Sequence, residues 1–154
     1  MRLLVDTNVL VRLRDAASPL SSVCEQAVGR LRQEGHDLVA CAQVAIEFWV
    51  VVTRPREANG LGMTPAQAEA DLRDFDVLLR WLPEPPDLAQ RWRRLVTRYF
   101  VSGKPAHDAR LVALRQAHRL PSVLTLNPTD FSRYSGIRCL SPHDVITGTL
   151  SRGR

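Results

Sequence analysis

Apolar residues along the chain follow two rhythms. Short, solid apolar runs alternate with longer stretches in which apolar positions recur every three or four residues. That is the alternation expected of buried strands and amphipathic helices. The run Arg2-Leu3-Leu4-Val5-Asp6 reads as a strand ending on a carboxylate, and Thr7 to Arg14 as a short helix. Ser18-Pro19 supplies a cap and a first-turn proline for a helix to about Glu34, with Leu20, Val23, Ala27 and Leu31 on one face and Gly35 as its stop. Leu38 to Cys41 is a second strand, followed by an unusually apolar helix from about Gln43 to Arg54. The loop Pro55 to Met63 turns at Asn59-Gly60. Thr64-Pro65 opens a helix expected to reach Trp81, its face built from Ala68, Leu72, Phe75, Leu79 and Leu82, and Pro83-Glu84-Pro85-Pro86 breaks it. Leu88, Trp92, Leu95 and Tyr99 define the next helical face. After the turn at Gly103-Lys104-Pro105 a further helix runs from Ala106 to His118. Ser122 to Leu126 and Ile137 to Leu140 are the last two strands. Strands alternating with helices predict an α/β fold with a mainly parallel central sheet.

The chain has 154 residues, which suits one domain, expected over 1–150, with a frayed tail at 151–154. Its longest apolar stretch, Leu38 to Val52, is interrupted by Gln43 and Glu47 and falls short of the roughly 20 residues of a membrane span. No secretory signal follows Met1-Arg2, so a cytoplasmic protein without membrane attachment is expected. Cys24, Cys41 and Cys139 form no CxxC or zinc spacing and read as reduced thiols. Charge adds a partner class. Twenty-one basic residues against 16 acidic give +5 and a pI near 9.8, favouring a polyanion. All but Lys104 of the basic residues are Arg, a composition that suits phosphate contacts and that a GC-rich coding bias also produces.

Against this basic background, four acids stand at or near element ends. Ligands of parallel α/β sheets bind beyond the carboxyl ends of the strands, and Asp6 closes the first strand while Asn127 and Asp130 follow the fourth. Asp6 is equally readable as a helix N-cap. Glu47 lies within Val44-Ala45-Ile46-Glu47-Phe48-Trp49-Val50, where a buried carboxylate needs compensation from an Arg or a bound metal. Asp108, in His107-Asp108-Ala109, sits in a first helical turn, where the helix dipole alone would favour it. An HD-type phosphohydrolase would need further His and Asp ligands, which His36, His118 and His143 do not suggest. An all-carboxylate site selects Mg²⁺ or Mn²⁺ over zinc, and such a site in a basic molecule suits hydrolysis of a nucleic-acid phosphodiester.

The opening Leu3-Leu4-Val5-Asp6-Thr7-Asn8-Val9-Leu10, then Glu47, then His107-Asp108-Ala109 and Leu124-Thr125-Leu126-Asn127-Pro128-Thr129-Asp130-Phe131 together resemble the PIN-domain ribonucleases. The resemblance is in particular to VapC-like toxins of bacterial toxin–antitoxin pairs. It implies a three-layer α/β/α fold and assigns metal-binding, catalytic roles to Asp6, Glu47 and Asp108, with Asn8 and Thr125 in support. Many members carry a fourth acid two residues after that threonine. Here the position is Asn127, and the next acid, Asp130, either reaches the metal through water or caps the turn before Phe131. The resemblance also implies a homodimer and a cognate antitoxin.

The expectation is therefore a Mg²⁺- or Mn²⁺-dependent endoribonuclease using Asp6, Glu47, Asp108 and Asp130, with Asn8, Thr125 and Asn127 supporting. Arg54, Arg56, Arg91, Arg94 and Arg98 are candidate RNA-backbone contacts. The Asn127 departure motivates an alternative, a catalytically weak PIN-like module that binds RNA or protein. A small-molecule phosphatase would leave the basic surplus unexplained.

Overall fold

The computed structural model of the chain describes residues 1–148, so the expected tail at 151–154 lies outside the described residues. Five strands, β1 (Arg2–Val5), β2 (Asp37–Cys41), β3 (Arg80–Leu82), β4 (Ser122–Leu124) and β5 (Arg138–Leu140), form one sheet in the order β3-β2-β1-β4-β5. Every pairing is parallel. Among the described residues seven α-helices connect and cover it: α1 (Thr7–Arg14), α2 (Ser21–Gln33), α3 (Ala42–Thr53), α4 (Pro65–Leu78), α5 (Leu88–Arg98), α6 (Ala106–Ala117) and α7 (Pro142–Thr147). This is the predicted α/β/α architecture. The three inner residues of β1, Leu3, Leu4 and Val5, are fully buried, as a central parallel strand covered on both faces requires.

The chain runs from β1 outward through β2 to β3, then returns across α5 and α6 to place β4 on the other flank of β1. The order therefore reverses between β1 and β4. A crevice at the carboxyl end of such a reversal is where open parallel sheets bind ligands, and Asp6 and Thr125 are the residues that leave those two strands.

The strand expected over Ser122 to Leu126 ends at Leu124, and three further elements differ from the sequence expectation. The helix predicted to reach Trp81 stops at Leu78; Leu79 turns extended, and Arg80–Leu82 becomes the edge strand β3, with Trp81 opposite Ala40 of β2. Helical spacing carries on to Leu82 because Leu79 and Leu82 are buried in either form. The helix after Ser18-Pro19 begins only at Ser21, since the Ser18 hydroxyl accepts the Leu20 N–H in a preceding turn. The helix α7 was not predicted; a reciprocal Ser141–Asp144 capping box starts it.

The loop after α3 turns where expected. Asn59 adopts left-handed backbone, and Gly60 lies so close to the Arg54 carbonyl that a Cβ would sit 1.9 Å from its oxygen. All three cysteines are free thiols. Among the described residues no helix is long and apolar enough to cross a membrane.

Candidate metal centre

Asp6 serves two ends at once. Asp6 is the N-cap residue of α1, and its Oδ1 accepts the first N–H of the helix, that of Thr7, at 2.7 Å. Its Oδ2 accepts the Asn8 amide at 2.9 Å and the Thr125 hydroxyl at 2.7 Å. Thr125 is fully buried and acts as the hub: its hydroxyl gives its proton to Asp6 and accepts N–H groups from the Asn8 side chain at 3.2 Å and the Asn127 backbone at 3.0 Å. Asn8 completes the link by accepting the Leu126 N–H at 3.1 Å. The cap reading and the site reading of Asp6 are thus compatible, each using a different oxygen.

Glu47 is half-buried rather than buried, because α3 shows a side to solvent at Ile46 and Val50. No Arg pairs with it among the described residues. Instead Glu47 accepts the Thr7 hydroxyl at 3.0 Å and the Gln43 amide at 2.8 Å. Gln43 is buried, and the same amide nitrogen reaches the His107 carbonyl at 2.9 Å, one residue before Asp108. Its orientation is fixed by Arg110, which donates to the Gln43 carbonyl at 2.8 Å and also pairs with Glu84. A cation is therefore two hydrogen bonds from Glu47, not in contact with it. Thr7, Gln43 and Arg110 escaped the sequence analysis. The spacing of four between Gln43 and Glu47 on one helix was the available signal; for Arg110 there was none.

The four acids act on one another. Burial pushes the Asp6 carboxyl up to about 6, and the charges of Glu47 and Asp130 add to the rise against the bonds from Thr125 and Thr7. Asp108 is also pushed up to about 6, first by burial and then by Asp130, Asp6 and Glu47, with His107 opposing. Asp130 stands exposed on the 3₁₀ turn Pro128–Phe131, and the exposed Asn127 precedes it. Neither Asp108 nor Asp130 has a hydrogen bond to its carboxylate among the described residues, and no ion pair there involves any of the four.

These residues fit a divalent cation by donor chemistry. They are hard oxygens with an uncompensated negative excess, two of them pre-oriented and two free. Among the described residues no three His, Cys, Asp or Glu side chains already surround one point at ligating distance. Gln43→Leu is expected to weaken Mn²⁺ binding by about 10- to 100-fold, the usual effect of removing a partner that orients a ligand. Titration calorimetry checks it, and unchanged affinity would remove Gln43 from the site.

The arginines form separate groups. Arg54 ends α3 and Arg56 lies on the following 3₁₀ turn. Arg91, Arg94 and Arg98 share α5 with Arg93 and line an open groove of about 850 Å³ with Tyr99 and Gln116, to which none of the four acids contributes. Arg91 is tied to Asp87 at 2.8 Å, and Arg98 lies over the Tyr99 ring.

Residues 3–137 match the PIN domain family. No curated protein matches the chain. Solved structures with a similar fold include VapBC2 from Rickettsia felis bound to a promoter DNA fragment, with a TM-score of 0.70 at 14% identity over 92% of this chain and 98% of that one. DNA-bound VapBC from Salmonella typhimurium gives 0.69 at 15% identity, over 92% and 98%. The sarcin–ricin loop cleaving toxin VapC20 of Mycobacterium tuberculosis gives 0.57 at 18% identity, over 79% and 86%.

Proposed function

The chain belongs to the PIN-domain family, and from that premise we propose that it is a Mg²⁺- or Mn²⁺-dependent endoribonuclease, the toxin of a toxin–antitoxin pair. One observation carries the catalytic part. Asp6, Glu47, Asp108 and Asp130 stand within electrostatic range at the strand-order reversal, and none of them is in an ion pair among the described residues. Asp6, Glu47 and Asp108 would hold the ion, with Asp130 beside them where Asn127 offers only a neutral oxygen. When bound, the ion supplies Lewis acidity toward a phosphodiester and acidifies water. Thr125, Asn8 and Thr7 hold Asp6 and Glu47 in place, so that the carboxylates need little reorganisation. Arg91, Arg94 and Arg98 on their groove, and Arg54 and Arg56 beyond α3, would grip the RNA backbone.

Partners follow from the same reading. The fold shared with VapBC complexes supports an antitoxin that blocks the site. A second copy of the chain is the proposed cover for Ile46 and Val50, 63% and 53% exposed one turn apart on α3. A cytoplasmic setting accords with an RNA target.

The test is incubation of a mixed-sequence single-stranded RNA with the protein in Mn²⁺, Mg²⁺ or EDTA. Metal-dependent cleavage that EDTA abolishes is expected. Folded protein that binds RNA without cutting it, in a total-RNA digest as well, would overturn the enzyme reading in favour of a binding module.

A further inference from the structure

A second concavity opens beside the acidic centre. It measures about 460 Å³, within the range of pockets that hold small planar ligands. Pro85, Pro86, Ala89 and Trp92 contribute apolar wall, and Glu84 and Arg110 supply its charged groups. Trp92 is held there by its ring N–H, which donates to the Ala106 carbonyl at 2.9 Å, so the indole is a fixed wall and not a free side chain. His107 also lines the pocket, and with Arg110 it brackets Asp108 in the first turn of α6. Through Gln43, Arg110 is linked to Glu47 as well. The pocket therefore shares α6 with Asp108 and is joined to Glu47 by a hydrogen-bond chain.

We propose that this pocket receives one unpaired nucleobase of the RNA, next to the phosphate that is cut. The inference rests on the ribonuclease reading and names what that site recognises. The wall chemistry favours a base. Proline rings and an immobilised indole offer apolar surface to a planar ring, and the Arg110–Glu84 pair offers its edge the guanidinium N–H groups and the carboxylate oxygen that the pair and Gln43 leave over. A base reaches the pocket only when splayed from its stack, which makes single strands and loops the substrates and excludes continuous duplex.

The test fills the pocket from a position outside the acidic centre. Ala89 is exposed on α5, so Ala89→Trp leaves the helix and core intact while occupying the space. An RNA oligonucleotide that the wild type cuts is prepared as a series, each member lacking one base near the cut. For one abasic position beside the cut, wild-type kcat/KM is expected to fall by about tenfold or more, the value of one stacked base. Ala89→Trp should cut the intact oligonucleotide as slowly as the wild type cuts that abasic one, and lose nothing further when the base is removed. Wild-type indifference to every abasic position overturns the proposal. So does Ala89→Trp with the full wild-type rate and the same abasic penalty, which would leave the pocket to a protein segment. Failure of the wild type to cut any RNA is a different outcome, and it overturns the ribonuclease reading together with this one.

Discussion

Asp6→Asn is expected to lower RNA cleavage by about a thousandfold or more, the scale on which enzymes lose rate when a residue of the central constellation is neutralised. The substitution keeps size and shape but removes the charge that attracts a cation. It also disturbs the local donors. Asp6 accepts N–H from Thr7 on one oxygen, and from Asn8 and the Thr125 hydroxyl on the other. An amide has one oxygen only, so its NH₂ must face either Thr7 or Asn8, and a buried donor facing a donor costs about 1–3 kcal/mol. Asp108→Asn lacks that complication, because no hydrogen bond to its carboxylate is present among the described residues. The two variants together separate charge from hydrogen bonding. Steady-state cleavage with Mn²⁺ is the measurement, with circular dichroism to verify folding. Retention of EDTA-sensitive cleavage in both would refute the assignment.

The second large effect concerns stability in the absence of divalent ions. Burial raises Asp6 from its ordinary 3.8 to about 6 in the folded chain. The folded state therefore holds that proton more tightly than the unfolded chain does. Its stabilising contribution is complete below pH 4 and is lost as pH rises through 6, amounting to about 3 kcal/mol for a shift of this size. Asp108 works in the same direction. Asp87 and Asp144, held low by Arg91 and by Ser141, give slopes of opposite sign, so the wild-type curve alone would mix them. The difference between wild type and Asp6→Asn isolates the effect. Urea unfolding in EDTA should show the variant gaining on wild type by about 3 kcal/mol between pH 3 and pH 7, whatever the gap at pH 3. Mn²⁺ at pH 7 should stabilise the wild type and not the variant. A pH-independent difference would mean that Asp6 is not charged against its surroundings in the way described.

Much of this could be read from the chain, and what could not has a physical reason. Leu3-Leu4-Val5-Asp6 declares a buried strand and a carboxylate at its end, and the rule for parallel sheets then places Asp6 and the residues after β4 on one rim. The edge strand β3 was hidden because Leu79 and Leu82 continue the helical spacing of α4; only pairing with β2 makes the difference. The capping box at Ser141 and Asp144 was legible and passed over. Of the groups around Glu47, Gln43 was signalled only by its spacing of four, and the groups behind it lay beyond sequence. Gln43 alone reads as a polar residue opening an apolar helix, and only the packing of α6 against it supplies His107 and Arg110.

The hub at Thr125 sets a schedule for the molecule. It joins Asp6 to a residue 119 positions later, and Asn8 reaches a residue 118 positions later. Contacts this distant form late, after the loop entropy between them has been spent. Until β4 has been synthesised, β2 is the only neighbour in the sheet that β1 can have, and Asp6 has no Thr125 to hold it. The centre is assembled only when the last two strands dock. A ribosome making this protein is thus not exposed to a competent nuclease until nearly the whole domain has left it.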